Sequence, residues 1–556
     1  MHVVTTFTSE GTDPILLSLP AWTPGSYEIN NFSRWVLAFS VNAEGRPLIW
    51  DKLDYDTWRI RRGTARGLVT VAFDYRADSL DNAMSWSRPD FLLFNGTNVF
   101  MYPEGRSLSY PAIVTVRTEP DWNVVTSMAR ATGLTGISFN ASNYHDLVDM
   151  PFFVGRFDVD SAEIAGKWMR FASYPAGAVQ GAARQLVWDQ LRKAVPPEMA
   201  VFGETPWDTY TVMQIVDSTY QGASGLEHSA SHVDVVSPVY VGSDFQPSLY
   251  AHEIFHAWNV KRLRPSDMWP YRYDVPMPTP WLWVSEGITD YYADLAEVRG
   301  GIIVDSGFFA LTSGKINEVE GLPPVALEDA SLNTWVHPVD GTGYIYYPKG
   351  SLAGFMLDVL IRDASDNRRS LDNVMRDLYA ATYKQGRGFT RDDWWNAVTR
   401  AAGGGKSFAD FDRRYVDGRE AYPWNEILPL AGLRGDVTRV PRLGIATTQD
   451  AKGVLIEQVD PTGAAGIAGV RPGDYLVSVN DLMVTDQSFG SKFRAMFADA
   501  KEGQPLMLSV TRGDQPLKLS GALLLGAGGL TIVADPNASA KAARIRAGIL
   551  KGTTDR

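Results

Sequence analysis

The chain has no cysteine among its 556 residues. Disulfides and thiolate chemistry are therefore excluded, and any bound metal has to be held by imidazole and carboxylate groups. Histidine is scarce as well, at seven residues, so histidines at regular spacing stand out. There is no uninterrupted apolar run of about 18 residues, the length a helix needs to cross a bilayer. No block of basic residues occurs and the net charge is −12, which argues against a nucleic-acid partner because binding to phosphate backbones rests on clustered Lys and Arg. The amino terminus, MHVVTTFTSEGTDPILLSLP, has neither the basic n-region nor the continuous apolar stretch of a secretory signal. His2 to Thr6 read as strand, so the chain is expected to begin inside a sheet. Were a leader removed, a periplasmic or other extracytoplasmic location would be expected; the lack of cysteine alone leaves the compartment open.

A single hydrophobic core stops growing at about 250 to 300 residues, so this length calls for several domains. Residues 1–165 alternate short β-type runs, such as ILLSLP, VLAFSVNA and LVTVAFDYRA, with Gly, Asp, Asn and Pro clusters, and read as an all-β sandwich. From about Lys167 the pattern turns helical, with amphipathic stretches at 179–194, 247–260, 280–298 and 349–362. Further helices at 371–383, 391–402 after a Thr390 N-cap, and 408–416 read as a helical support subdomain, so that 166–433 forms one mostly helical domain. Residues 434–530 return to short strands and glycine turns, and 531–556 read as a polar, Ala-rich tail. The fold class is multidomain α+β.

The segment SLYAHEIFHAWNV places His252 and His256 four residues apart with Glu253 between them, and Pro247 suits the first turn of a helix. Four residues is about one helical turn, so both imidazoles face one side and can share a tetrahedral Zn²⁺. Glu253 can then reach the water such a metal would activate, as metal-assisted hydrolysis requires. A third ligand is found in TPWLWVSEGITDYYADLAEVRGG, where Thr279 can N-cap a helix, Pro280 open it and Gly300 end it. Glu286 is the expected ligand, with Asp290 one turn on. Asp290 is either an acceptor for the free ring N–H of a ligand histidine or a solvent-facing residue; spacing alone does not choose. His228 and His232 are also four apart but lack an intervening Glu. In loop or strand that spacing holds the Cα atoms at roughly 13 Å, too far for easy co-ligation.

Taken in order, AWTPGSYEINNFSRWV, GLEH at 225–228, HEIFHAWNVKRLRP, WVSEGITDYYADL, YYPKGSLAGFMLDVLIR and the carboxy-terminal module resemble the PDZ-bearing glycyl aminopeptidases, gluzincins distantly related to aminopeptidase N. The resemblance implies a thermolysin-like catalytic domain holding one zinc ion per chain. It places Glu227 where related enzymes carry a Gly-Ala-Met-Glu-Asn motif whose Glu binds the substrate's free amino group, by charge-assisted hydrogen bonding. Ser224, Leu226 and His228 depart from that motif. Tyr347 matches the tyrosine that donates to the oxyanion in similar enzymes, with Tyr344 and Tyr346 as close rivals. The same likeness implies a preference for small N-terminal residues such as Gly or Ala. Leu443, Gly444 and Ile445 resemble the loop with which PDZ domains receive a peptide carboxylate. Lys261, Arg262 and Arg264 could bind a peptide carbonyl or carboxylate, but the simpler reading is of cations complementing a helix C-terminus, and no role is assigned to them. Peptides with a free N-terminus are thus the expected substrates and peptide C-termini the expected PDZ ligands. The rival readings are an endopeptidase on the same scaffold and a catalytically silent PDZ peptide-binding protein.

Overall fold

A computed structural model describes the chain except for residues 9–13, 64–66, 135, 451, 486–488, 498–499 and 556. It divides into two compact units, one made of Met1–Leu433 with Ala534–Arg556 and the other of Arg434–Val533.

The amino-terminal part of the larger unit is a β-sandwich built from short antiparallel sheets. Its strands show the inside-out alternation that a half-buried pleated surface imposes. In Leu68–Tyr75, for instance, Val69, Val71, Phe73 and Tyr75 are buried while Leu68 and Asp74 face out. This sandwich is not insulated from the rest of its unit. Phe91 stacks on Tyr174 with ring centroids 4.0 Å apart. Around them, Trp86 and Phe153 share one core with Met213, Ile215, Val233 and Val235.

The region from Lys167 onward is not uniformly helical, contrary to the reading of the sequence. It opens on a five-stranded mixed sheet in the order Asp158–Ile164, Lys167–Tyr174, Thr209–Val216, Ser231–Val236, Ala223–His228. Thr209–Val216 and Ser231–Val236 are almost entirely buried, polar Thr211, Gln214, His232 and Asp234 included, so they lack the inside-out alternation that would mark them as strands. The boundary expected at 165/166 falls in the turn joining the first two strands, which pair antiparallel across it.

Helices Gly181–Phe202, Phe245–Phe255, Ile288–Arg299 and Tyr346–Ala364 form the body behind this sheet. Phe255 stacks on Tyr292 at 4.5 Å, joining the second and third of them. Where the turn before Ile288 crosses Tyr346–Ala364, a Cβ on Gly287 would lie 2.5 Å from the Cα of Gly350, so glycine permits the backbones to touch. Thr390 caps Arg391–Ala401 in a reciprocal box with Asp393. Thr279 does not cap: its hydroxyl donates to Asp267 at 3.0 Å, and helical bonding starts at Trp281. Residues 531–556, read as a tail, contain helix Ala540–Lys551, N-capped by Ser539, with Ile545 and Ile549 buried.

The smaller unit is a β-rich sheet in the order Ile445–Asp450, Gly453–Val459, Tyr475–Val479, Pro505–Arg512, Gln515–Ala522. Ile456, Val479, Leu506, Leu508 and Val510 make its core. Leu443 and Gly444 lead into the edge strand; Gly444 takes a left-handed φ of 74° and its carbonyl accepts from the Asp460 amide at 2.7 Å.

Candidate metal centre

Helix Phe245–Phe255 carries His252 and Glu253 in its last turn, and His256 comes directly after it in helical conformation. Glu286 sits on a π-helical turn, Trp283–Gly287, that runs into helix Ile288–Arg299. Such single-turn bulges rotate the side chains beyond them and recur at functional sites. The Nε2 atoms of His252 and His256 lie 3.0 Å apart, and Glu286 Oε2 is 3.4 Å and 3.2 Å from them. Ligands at about 2.0–2.1 Å from a tetrahedral zinc stand roughly 3.3 Å from one another. The three donors therefore fit a single Zn²⁺, and two imidazoles with one carboxylate leave the fourth position for substrate or water.

The surroundings orient each donor. His256 Nδ1 lies 2.7 Å from the Asn259 carbonyl, which accepts its hydrogen and leaves Nε2 as the free lone pair. The Asn259 amide in turn donates to the Val284 carbonyl at 2.8 Å and to Thr289 Oγ1 at 3.0 Å, tying the His256 turn to the Glu286 turn. Asp290 is 3.9 Å from His252 Nδ1, beyond hydrogen-bond range. It is drawn instead to Lys315, whose buried ammonium also meets Asp294, at 2.6 Å and 2.7 Å. Tyr27 of the sandwich reaches in from the other side and donates to Glu286 Oε1 at 2.6 Å. Burial, and then the Glu286 charge, hold the Tyr27 hydroxyl well above its usual pKa, so it stays a donor.

Glu253 is buried and burial pushes its carboxyl well above the ordinary carboxylate range; His256 opposes the shift, and Glu227, Asp234 and Glu286 reinforce it. Gly225 lies against Glu253 so closely that any Cβ there would collide with the carboxylate. Glu227 is not in a loop. It is buried on the edge strand Ala223–His228, paired with His232, and burial raises its pKa to about 7. Carboxylate oxygens of Glu227 and Glu253 and a ring nitrogen of His256 lie within 4.8 Å of one another. This trio is not a second metal site, because His256 has one nitrogen facing Glu286 and the other engaged by Asn259. Glu227 Oε1 and Glu253 Oε2 have no hydrogen-bond partner among the described residues. Such buried orphan acceptors call for a ligand donor.

The three tyrosines separate cleanly. Tyr344 is exposed and bonds Glu318 at 2.7 Å, Tyr346 bonds Thr334 at 3.0 Å, and the Tyr347 ring stands 5.8 Å from that of His252. His228 and His232 lie on adjacent strands rather than along one, paired respectively with Asp149 at 3.4 Å and Asp234 at 3.2 Å. Neither joins a metal-capable group among the described residues. The cations after the metal helix do more than face a helix end. Lys261 is buried 2.6 Å from Asp149, Arg262 donates to the carbonyls of Ser229 and Pro206, and Arg264 lies 3.8 Å over Tyr271. Tyr27, Asn259 and Lys315 are site residues that the sequence alone does not single out. Asn259 has a signal in its place three residues after His256; Tyr27, 259 residues from its partner, has none.

Family models match residues 1–156 as the Peptidase M61 N-terminal domain, 246–353 as M61 glycyl aminopeptidase and 441–523 as a PDZ domain. The chain carries both domains of the M61 glycyl aminopeptidase family. It is a metallopeptidase, and the M61 match spans His252, Glu253, His256, Glu286 and Tyr347. A comparison with curated proteins returned no match. Among solved structures, this M61 peptidase is similar to an aminopeptidase N family protein from Idiomarina loihiensis, at 23% identity and a TM-score of 0.79 over 99% of this chain and 97% of that one, which shows the fold. It is also similar to an M1 zinc metallopeptidase from Deinococcus radiodurans, at 16% identity and a TM-score of 0.47 over 76% and 90% of the two chains. A third is yeast LTA4 hydrolase, at 13% identity and a TM-score of 0.46 over 76% and 65%.

Proposed function

We propose that the chain is a zinc aminopeptidase that releases single residues from the free N-terminus of peptides, favouring small ones such as Gly or Ala. The observation that carries this reading is Glu227, a buried carboxylate with an orphan oxygen beside Glu253 and His256. A substrate ammonium satisfies that oxygen by a charge-assisted hydrogen bond and removes the cost of burying the charge. The preference for small residues rests on the family description.

His252, His256 and Glu286 would hold the zinc, which when bound polarises the scissile carbonyl and acidifies water. Glu253 accepts the proton of the attacking water as the new C–O bond forms and the carbonyl oxygen becomes an oxyanion, then passes that proton to the amide nitrogen, whose C–N bond breaks as the carbonyl re-forms. Tyr347 donates a hydrogen bond to the developing oxyanion. Asp290 is held by Lys315, 3.9 Å from His252 Nδ1, and makes no hydrogen bond to that ring. In the PDZ unit, Leu443–Gly444–Ile445 leads into an edge strand to which a peptide C-terminus can add.

Paired peptides with free and acetylated N-termini test the reading, assayed with and without a chelator. Free peptides should be cut one residue at a time, activity should vanish with chelation and return with zinc, and acetylated peptides should resist. Equal cleavage of both forms would sink the aminopeptidase assignment and favour endopeptidase action.

A further inference from the structure

The loop Thr23–Tyr27 belongs to the amino-terminal sandwich, yet it touches two carboxylates of the site. Tyr27 donates to Glu286 Oε1 at 2.6 Å, which leaves Oε2 as the oxygen facing both histidines. Two residues earlier, Gly25 lies so near Glu227 that a Cβ built on it would stand 2.5 Å and 2.6 Å from the two carboxylate oxygens. The backbone is forced into this approach. Gly25 takes φ 109°, and Tyr27 takes φ 48°, a left-handed conformation that is uncommon for a bulky residue and persists only where contacts over-determine it.

Those contacts come from both sides. Thr23 Oγ1 pairs with Thr97 Oγ1 at 2.7 Å within the sandwich. Just upstream, the Ala21 amide donates to the Tyr273 carbonyl at 2.7 Å, and Trp22 Nε1 donates to the Arg272 carbonyl at 2.9 Å. Trp335 packs edge-on against both Trp22 and Tyr27, at 5.1 Å and 6.1 Å between ring centroids. The loop is thus clamped between sandwich and helical body with its tip on the two acidic side chains.

We infer that this loop is a positioning element supplied by the amino-terminal domain: Tyr27 sets Glu286 as a one-oxygen metal ligand, and the bare backbone of Gly25 sets Glu227 for the substrate amine. The inference rests on the zinc aminopeptidase reading and deepens it, because it makes the sandwich part of the catalytic apparatus. Tyr27 and Gly25 touch ligands of the reaction rather than the reaction itself, so they are positioning residues, and their effects should separate.

The test uses the full chain with zinc affinity measured by competition against a chromophoric chelator, alongside kinetics on a free peptide and melting curves. Tyr27→Phe removes one oxygen and should weaken zinc affinity by about 10- to 100-fold, the range for losing an outer partner of a metal ligand. Gly25→Ala should leave zinc affinity within about twofold and raise KM about 10-fold or more, since misplacing a binding group by about 1 Å can cost up to about 100-fold. If the alanine does not fold, Tyr27→Phe decides alone. A Tyr27→Phe chain that binds zinc as tightly as the parent overturns the inference while leaving the aminopeptidase reading intact. A parent chain that takes up no zinc overturns both.

Discussion

The two walls of the site are built on different principles. On one side, His252, Glu253, His256 and Glu286 are presented by two helical segments whose own periodicity sets the spacing of the donors. Opposite them, Glu227 projects from the edge strand of a sheet and depends on neighbours distant in sequence. Gly25 presses on its carboxylate and Asn82 of the sandwich donates to the Gly225 carbonyl at 2.6 Å and to Ser224 Oγ at 3.2 Å. The helical wall takes its donor spacing from local helical turns, and the sandwich enters it only through Tyr27 on Glu286. The strand wall is a joint product of two domains, so chemistry and substrate selection can be damaged independently.

Three substitutions sharpen or break that contrast. Glu253→Gln, on the helical wall, has the largest effect: kcat should fall by about 10²- to 10⁴-fold, the usual worth of a positioned general base, while zinc remains stoichiometric by elemental analysis. Substantial turnover in this variant would remove Glu253 from the mechanism. Glu227→Gln, on the strand wall, keeps shape and loses charge. Its KM for free peptides should rise by about 10- to 100-fold, as expected for losing a hydrogen bond to a charged group, with zinc affinity unchanged. An equal loss on acetylated peptides would mean that Glu227 does not read the amine. Asn82→Ala has the smallest effect. It strips the Gly225 carbonyl of a buried donor and should raise KM by about 3- to 10-fold with little change in kcat. If it lowers zinc affinity instead, the two walls are coupled and the contrast fails.

Much of the site is legible in the sequence because a helix is a local ruler. The His252–His256 interval and the Glu286–Asp290 interval each span one turn, and the two rings converge as that turn requires. Spacing does not show that Asp290 is captured by Lys315, because the partner lies on another helix. Nor does it show that Glu227 and His232 are cross-strand neighbours, since the buried strands on either side lack alternation. The cations after the metal helix read as dipole partners, whereas Lys261 is consumed by Asp149 of the preceding domain.

By itself, the sequence set the expectation of a cysteine-free centre with two histidines and one glutamate as donors and a second glutamate as base. Composition and short-range period gave the order of β-rich, helical and β-rich modules, and the resemblance of the ordered motifs added that the second and third are peptidase and PDZ domains. Tertiary structure alone decided which oxygen of Glu286 is left to the histidines, and it set Tyr347, which the resemblance had favoured, apart from Tyr344 and Tyr346. It also decided that a loop near residue 25 would close the wall around Glu227. The contacts of Tyr27 with Glu286 and of Gly25 with Glu227 join residues about 200 or more positions apart, and no local period records such contacts.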